Sequence, residues 1–261
     1  MTLTFGTDGV RGRAYDELTV ADVEALGQAA GLVLGGEAIV IGTDGRESGD
    51  DFVEALCRAF QRDGIRAWNL GLAPTPAVAH VAAEHGIAGA MVSASHNPYH
   101  DNGVKFFAPG GRKLTDAQQA AIEAELVGLA AMPSQLVDQP DPGAGPVDRT
   151  DLVADYVDWV VGTVPAGALT GLRVIVDCAN GAASGTAAPA LRRLGADVTA
   201  INDVPDGRNI NADCGSTDMT RLSREVVAAS ADLGLAFDGD ADRMLAIDRD
   251  GQDIDGDQII A

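Results

Sequence analysis

The sequence is poor in positive charge. It carries 18 Lys and Arg against 39 Asp and Glu, a formal net charge of −21, and a field of that sign repels nucleic acid and anionic membranes at long range. Neither is expected as a partner. A phosphate ligand would need the field inverted locally, by arginine, lysine or a bound cation. Cysteine is also scarce: Cys57, Cys178 and Cys214 are odd in number, far apart and free of any CxxC spacing. That argues against a disulfide framework and a zinc site, and it favours a reducing, cytoplasmic setting. No stretch of about 18 uninterrupted apolar residues suggests a membrane span. The start, MTLTFGTDGVRG, lacks the basic and apolar blocks of a signal peptide. Aromatics are only 4% of the chain, which disfavours an all-β sandwich.

What is abundant is glycine, 32 residues, within a chain of 261 that is 46% hydrophobic. This suits one large or two ordinary α/β domains with many loops. Two segments read as the same βαβ unit, each a short apolar strand, an Asp-containing glycine loop, an amphipathic helix, a Gly break and a second strand. The first is EAIVIGTDGRESGDDFVEALCRAFQRDGIRAWNLG, and the second is LRVIVDCANGAASGTAAPALRRLGADVTAIND. Asp177, Leu194 and Gly195 stand in the second much as Asp44, Asp63 and Gly64 stand in the first.

Between the units, MPSQLVDQPDPGAGPVD crowds Pro133, Pro140, Pro142 and Pro146 with glycine, the composition of a linker. The expected domains are 1–150 and 151–251. TDLVADYVDWVVGTV places Leu152, Tyr156, Trp159 and Val160 on one helical face, with Thr150 or Asp151 as N-cap, and would open the second domain. Residues 252–261 break off in DGDQIIA as an apolar run begins, the pattern of a cut chain.

Two constellations carry chemistry. GAMVSASHNPYHDNGVKFF sets Ser95 in a tight turn directly after an apolar strand, with His96 beside it and Lys105 on the next extended run. The three could share a pocket in which the serine takes a phosphoryl group, although loop serines commonly do no more than form turns. His96 would shuttle a proton, orient the serine or cap the turn. Lys105 would bind phosphate, transfer a proton or stand at a strand edge.

The second constellation is FDGDADR, where Asp238, Asp240 and Asp242 alternate on a loop leaving a strand, next to Arg243. Three such carboxylates repel one another unless a hard cation sits between them, and Mg²⁺ fits oxygen ligands. The competing reading is a solvated acidic turn, as expected for most of Asp248, Asp250, Asp253, Asp255 and Asp257 further on. FGTDGVRG, with Thr7 and Arg11, and its echo GTDGR at residues 42–46 are weaker signals, consistent with an anion-binding glycine loop or with turn chemistry alone.

With FGTDGVRG, SASHNPYxDNGxKFF, VDCANGAA, NINxxCGST and FDGDADR in this order, the whole chain resembles the α-D-phosphohexomutase superfamily. Within it, the chain is most similar to bacterial members acting on glucosamine phosphates. The resemblance implies two similar mixed-sheet α/β domains of a four-domain enzyme, followed by a stub of the third. It implies that Ser95 is a phosphoserine and that Asp238, Asp240 and Asp242, with one oxygen of that phosphate, hold one Mg²⁺. Arg11, His96, Lys105 and Arg243 would surround the transferring group, with Arg11 and Lys105 as candidates for proton transfer and Thr7 and Arg243 for phosphate binding.

The implied reaction interconverts glucosamine 6-phosphate and glucosamine 1-phosphate through a hexose 1,6-bisphosphate, supplying cell-wall precursor synthesis. The implied partners are the phosphosugar and at most a second copy, as a monomer or homodimer. The family's GExSGH and RxSGTEP loops are absent, and Asp218 stands where CGST is often followed by His. A member acting on mannose or glucose phosphates, and a noncatalytic phosphosugar-binding module, are the alternatives.

Overall fold

A computed structural model describes residues 3–6, 9–130, 145–254, 256 and 258. The expected linker prolines Pro133, Pro140 and Pro142, Thr7, and most of 255–261 lie outside the described residues. The first unit runs β1 (Val10–Arg13), α1 (Val20–Leu34), β2 (Ala38–Thr43), α2 (Gly49–Arg62), β3 (Arg66–Leu72), α3 (Thr75–His85), β4 (Ala88–Val92), β5 (Asp101–Ala108), β6 (Arg112–Lys113), α4 (Asp116–Ala130) and β7 (Val147–Asp148). The second runs α5 (Asp151–Gly162), β8 (Arg173–Asp177), α6 (Ala187–Arg193), β9 (Asp197–Ile201), α7 (Thr220–Ala229), β10 (Leu233–Phe237), β11 (Met244–Asp248) and β12 (Asp253–Ile254).

AIVIGT in β2 is buried at every position, as a strand covered on both faces must be. Its Ile39 and Ile41 face a core with Val23 and Leu26 of α1, Phe52 and Leu56 of α2 and Ile122 of α4. Its Val40 faces the opposite core, with Val78 and Val81 of α3. The sheet order is β1-β5-β4-β2-β3-β7, with β6 on β5. Pairings among β4, β2, β3 and β7 are parallel, and those of β5 are antiparallel, so the sheet is mixed.

The second sheet, β12-β11-β10-β8-β9, is also mixed. Val174 and Val176 of β8 face α6, and Ile175 faces Leu222 and Val226 of α7. Both βαβ segments thus give adjacent parallel strands. Gly64 and Gly195 end the two helices at φ +72° and +98°, which favour glycine. The second helix is shorter, a 3-10 turn (Ala182–Gly185) followed by seven residues containing Pro189.

Helix α5 departs from its expected face. Leu152 and Val157 are its buried residues, and Leu152 packs into the first sheet's core. Trp159 is 54% exposed and stacks on His80 of α3 with ring centroids 4.3 Å apart. Thr150 makes no side-chain cap; its N–H donates to Asp148 Oδ1 instead. The helix therefore bridges the two units. Residues Asp253–Ile254 pair with β11 within the second sheet.

Candidate active site between the two sheets

The serine loop leaves the carboxyl end of β4 and the DGDADR loop leaves the carboxyl end of β10, the ends at which open α/β sheets bind ligands. Here they meet. Ser95 is 1% exposed and takes a left-handed backbone, φ +54°, a conformation that costs an L-residue energy and has to be held by its surroundings. Its N–H donates to Ser93 Oγ at 2.7 Å, and Ser93 Oγ donates to Asp44 Oδ2 at 2.6 Å. Gly239 lets the second loop close in: a Cβ there would meet Ser95 O at 2.6 Å.

Ser95 Oγ donates to Asp238 Oδ2 at 2.6 Å. Arg243 spans the same pair, donating from Nε to Asp238 Oδ2 at 3.1 Å and from Nη2 to Ser95 Oγ, and Nη2 also lies 2.7 Å from His96 Nδ1. Lys105 on β5 donates to Asp242 Oδ2 at 3.0 Å. Arg243 and Lys105 offset two of the three carboxylate charges gathered here, and a further cation would be needed to invert the local field. Arg11 lies on β1 opposite Gly103, where the missing Cβ leaves room for its side-chain stem.

The carboxylate triplet fits a hard cation. Each of Asp238, Asp240 and Asp242 offers an oxygen within 4.8 Å of the others. Asp238 and Asp240 are fully buried, and Asp240 Oδ1 is buried without any hydrogen-bond donor. Burial first, then the charges of Asp238 and Asp242, push the Asp240 carboxyl up to about 7, against the opposing hydrogen bond from Thr75. An acceptor so placed is costly unless a cation approaches it.

Several contributors have little sequence signal. Thr75, at the start of α3, donates from Oγ1 to Asp240 Oδ2 at 2.7 Å and from its N–H to Asp240 O at 2.9 Å. Arg46, a possible anion clamp by sequence, is instead buried on Asp44. It donates to Asp44 from Nε and Nη2, to Pro98 O and Asp101 O from Nη1, and to Ser95 O from Nη2 at 3.2 Å. It braces the serine loop from beneath. Asp218 accepts from Thr220 N–H at the start of α7, a local turn role.

Residues 2–129 match the family model phosphoglucomutase/phosphomannomutase alpha/beta/alpha domain I, and residues 154–251 match domain II of the same family. The chain belongs to this family. It is 47% identical to the phosphoglucosamine mutase of Halorhodospira halophila over 98% of this chain and 57% of that protein. It is likewise 47% identical to that of Thermobifida fusca, over 100% of this chain and 59% of that protein. Its fold matches that of a putative phosphomannomutase from Thermus thermophilus with a TM-score of 0.84 at 25% identity, over 99% of this chain and 60% of the other. The chain thus spans less than two thirds of the length of these relatives.

Proposed function

We propose that this chain forms the serine- and cation-bearing part of a phosphoglucosamine mutase, with Ser95 as the residue that carries the phosphoryl group. The observation that supports this most strongly is the 2.6 Å contact of Ser95 Oγ with Asp238, from loops 143 residues apart in sequence. Phosphoryl transfer asks for in-line positioning and charge neutralisation rather than elaborate covalent machinery. In this reading, phospho-Ser95 gives its group to O1 of glucosamine 6-phosphate, whose hydroxyl proton leaves to a base. The resulting 1,6-bisphosphate reorients, and its 6-phosphoryl group passes to Ser95 Oγ, which gives up its hydroxyl proton as O6 takes one, leaving phospho-Ser95 and glucosamine 1-phosphate.

Asp238, Asp240 and Asp242 would hold Mg²⁺ together with a phosphoserine oxygen, and the ion when bound supplies neutralisation of phosphoryl charge. Arg243 and His96 orient the serine hydroxyl. Lys105 and Arg11 lie on the adjacent strands as the groups for proton transfer and anion binding, and Thr7 is assigned to phosphate binding by resemblance alone. The division of the chain falls near residue 150, and the setting is the cytoplasm. Glucosamine as the sugar rests on the relatives; a glucose or mannose phosphate is the competing substrate.

Intact-mass measurement tests this reading. Incubated with a hexose 1,6-bisphosphate and Mg²⁺, the wild-type chain is expected to gain one phosphate that maps to Ser95, and Ser95→Ala to gain none. No gain, or an equal gain in both, contradicts the assignment.

A further inference from the structure

Asn211 belongs to the NINxxCGST motif, to which no role is assigned above, and its side chain reaches the loop of Ser95 from the second unit. Its Nδ2 donates to Ser95 O at 2.9 Å and to Asn97 O at 3.1 Å. Facing two carbonyls fixes the amide orientation, because a flipped amide would set three oxygens against one another. Asn211 is itself anchored, between the buried Ile210 and Cys214, with its N–H donating to Ala179 O at 2.9 Å. Its φ of +56° is one that asparagine tolerates better than most residues.

The carbonyl of Ser95 therefore takes one donor from each unit: Arg46 Nη2 from the first and Asn211 Nδ2 from the second. The peptide before Ser95 is pinned through its N–H to Ser93 Oγ. With the groups on both sides fixed, the left-handed backbone is retained and Oγ stays directed at Asp238.

We propose that Asn211 is a positioning residue, a clamp by which the second unit holds Ser95 in its left-handed conformation so that Oγ faces the carboxylate triplet. The catalytic consequence rests on the phosphoserine reading above; the conformational one does not. Removing the clamp leaves Ser95 O with the 3.2 Å bond from Arg46 and loosens the Ser95–His96 peptide, while the triplet and Thr75 stay in place.

The test uses Asn211→Asp, which keeps the shape and the tolerance of positive φ but sets an acceptor against two carbonyls. Asn211→Gly, which keeps φ and removes the side chain, replaces it if the aspartate variant does not fold. In the ¹³C- and ¹⁵N-labelled chain, the Ser95 Cα, Cβ and carbonyl shifts are expected to leave left-handed values in the variant, with the Mg²⁺ binding midpoint little changed. The rate of phosphate uptake from a hexose 1,6-bisphosphate is expected to fall about 100-fold, as for misplacement of a reacting group by about 1 Å. Ser95 shifts identical to wild type overturn the clamp, as does an unaltered uptake rate. If wild type itself takes up no phosphate, the phosphoserine reading fails, and the shifts alone decide for or against the clamp.

Discussion

Thr75 and Asp240, 165 residues apart, are joined twice, by the Thr75 hydroxyl to Asp240 Oδ2 and by the Thr75 N–H to Asp240 O. The pair fixes one carboxylate oxygen and leaves the other, Oδ1, buried and without a donor.

A pH dependence follows, because burial and the neighbouring carboxylates push Asp240 up to about 7. Below the ordinary carboxylate value of about 4 the group is protonated in folded and unfolded chain alike and has no effect. As pH rises toward 7 the unfolded chain ionises first, so the metal-free fold loses stability progressively, and the whole penalty is present above 7. Asp240→Asn is expected to exceed wild type by roughly 2 kcal/mol at pH 8 without metal, to match it near pH 4, and to lose the Mg²⁺-induced rise in Tm. Thermal denaturation of both chains across this range, with and without Mg²⁺, checks it; parallel curves would contradict it.

Gly239→Ala places a Cβ 2.6 Å from Ser95 O and 2.9 Å from Asn211 Nδ2. The two loops have to separate, at a cost of about 1–3 kcal/mol. The expected result is a lower Tm together with weaker Mg²⁺ binding and slower phosphate uptake, and a variant with unaltered uptake would show that the close approach is dispensable.

Arg46→Met leaves the buried Asp44 charge without its cation, with only the Ser93 hydroxyl donating to it, and removes a donor from the carbonyls of Ser95, Pro98 and Asp101. A loss of roughly 3–5 kcal/mol is expected in urea unfolding. Adding Asp44→Asn is expected to restore part of it, since the uncompensated charge is then gone.

Burial pushes the thiols of Cys57, Cys178 and Cys214 up to about 12. Folded chain at pH 8 is expected to react with no thiol reagent equivalents, and unfolded chain with three. Rapid labelling of folded chain at any of the three would contradict their burial.

The parts of this arrangement that were legible in the sequence are those written in short stretches. Unbroken apolar runs such as AIVIGT mark strands covered on both faces, and Asp238, Asp240 and Asp242 alternate within five residues, so their convergence needs only one loop. The turn that abuts an apolar strand singles out Ser95 as a candidate, but its role as phosphoryl carrier is implied by the family resemblance of its motif and not by the turn. Thr75, Arg46 and Asn211 were not given these roles, because each acts on a loop from which it is separated by 49 to 165 residues. Periodicity carries no information over such distances. Helix α5 misled for a related reason: its Trp159 fits the apolar face by spacing, but the neighbour that stacks on it, His80, belongs to the other unit.

In the proposed mechanism the phosphoryl group on Ser95 and the carboxylates of Asp238, Asp240 and Asp242 share one cation. The most direct measurement is ³¹P relaxation of the Ser95-phosphorylated chain titrated with Mn²⁺ in place of Mg²⁺. One equivalent of Mn²⁺ is expected to broaden the phosphoserine resonance strongly, and Asp240→Asn to shift the titration to much higher concentration. A phosphoserine signal that stays narrow while Mn²⁺ binds the triplet would contradict it.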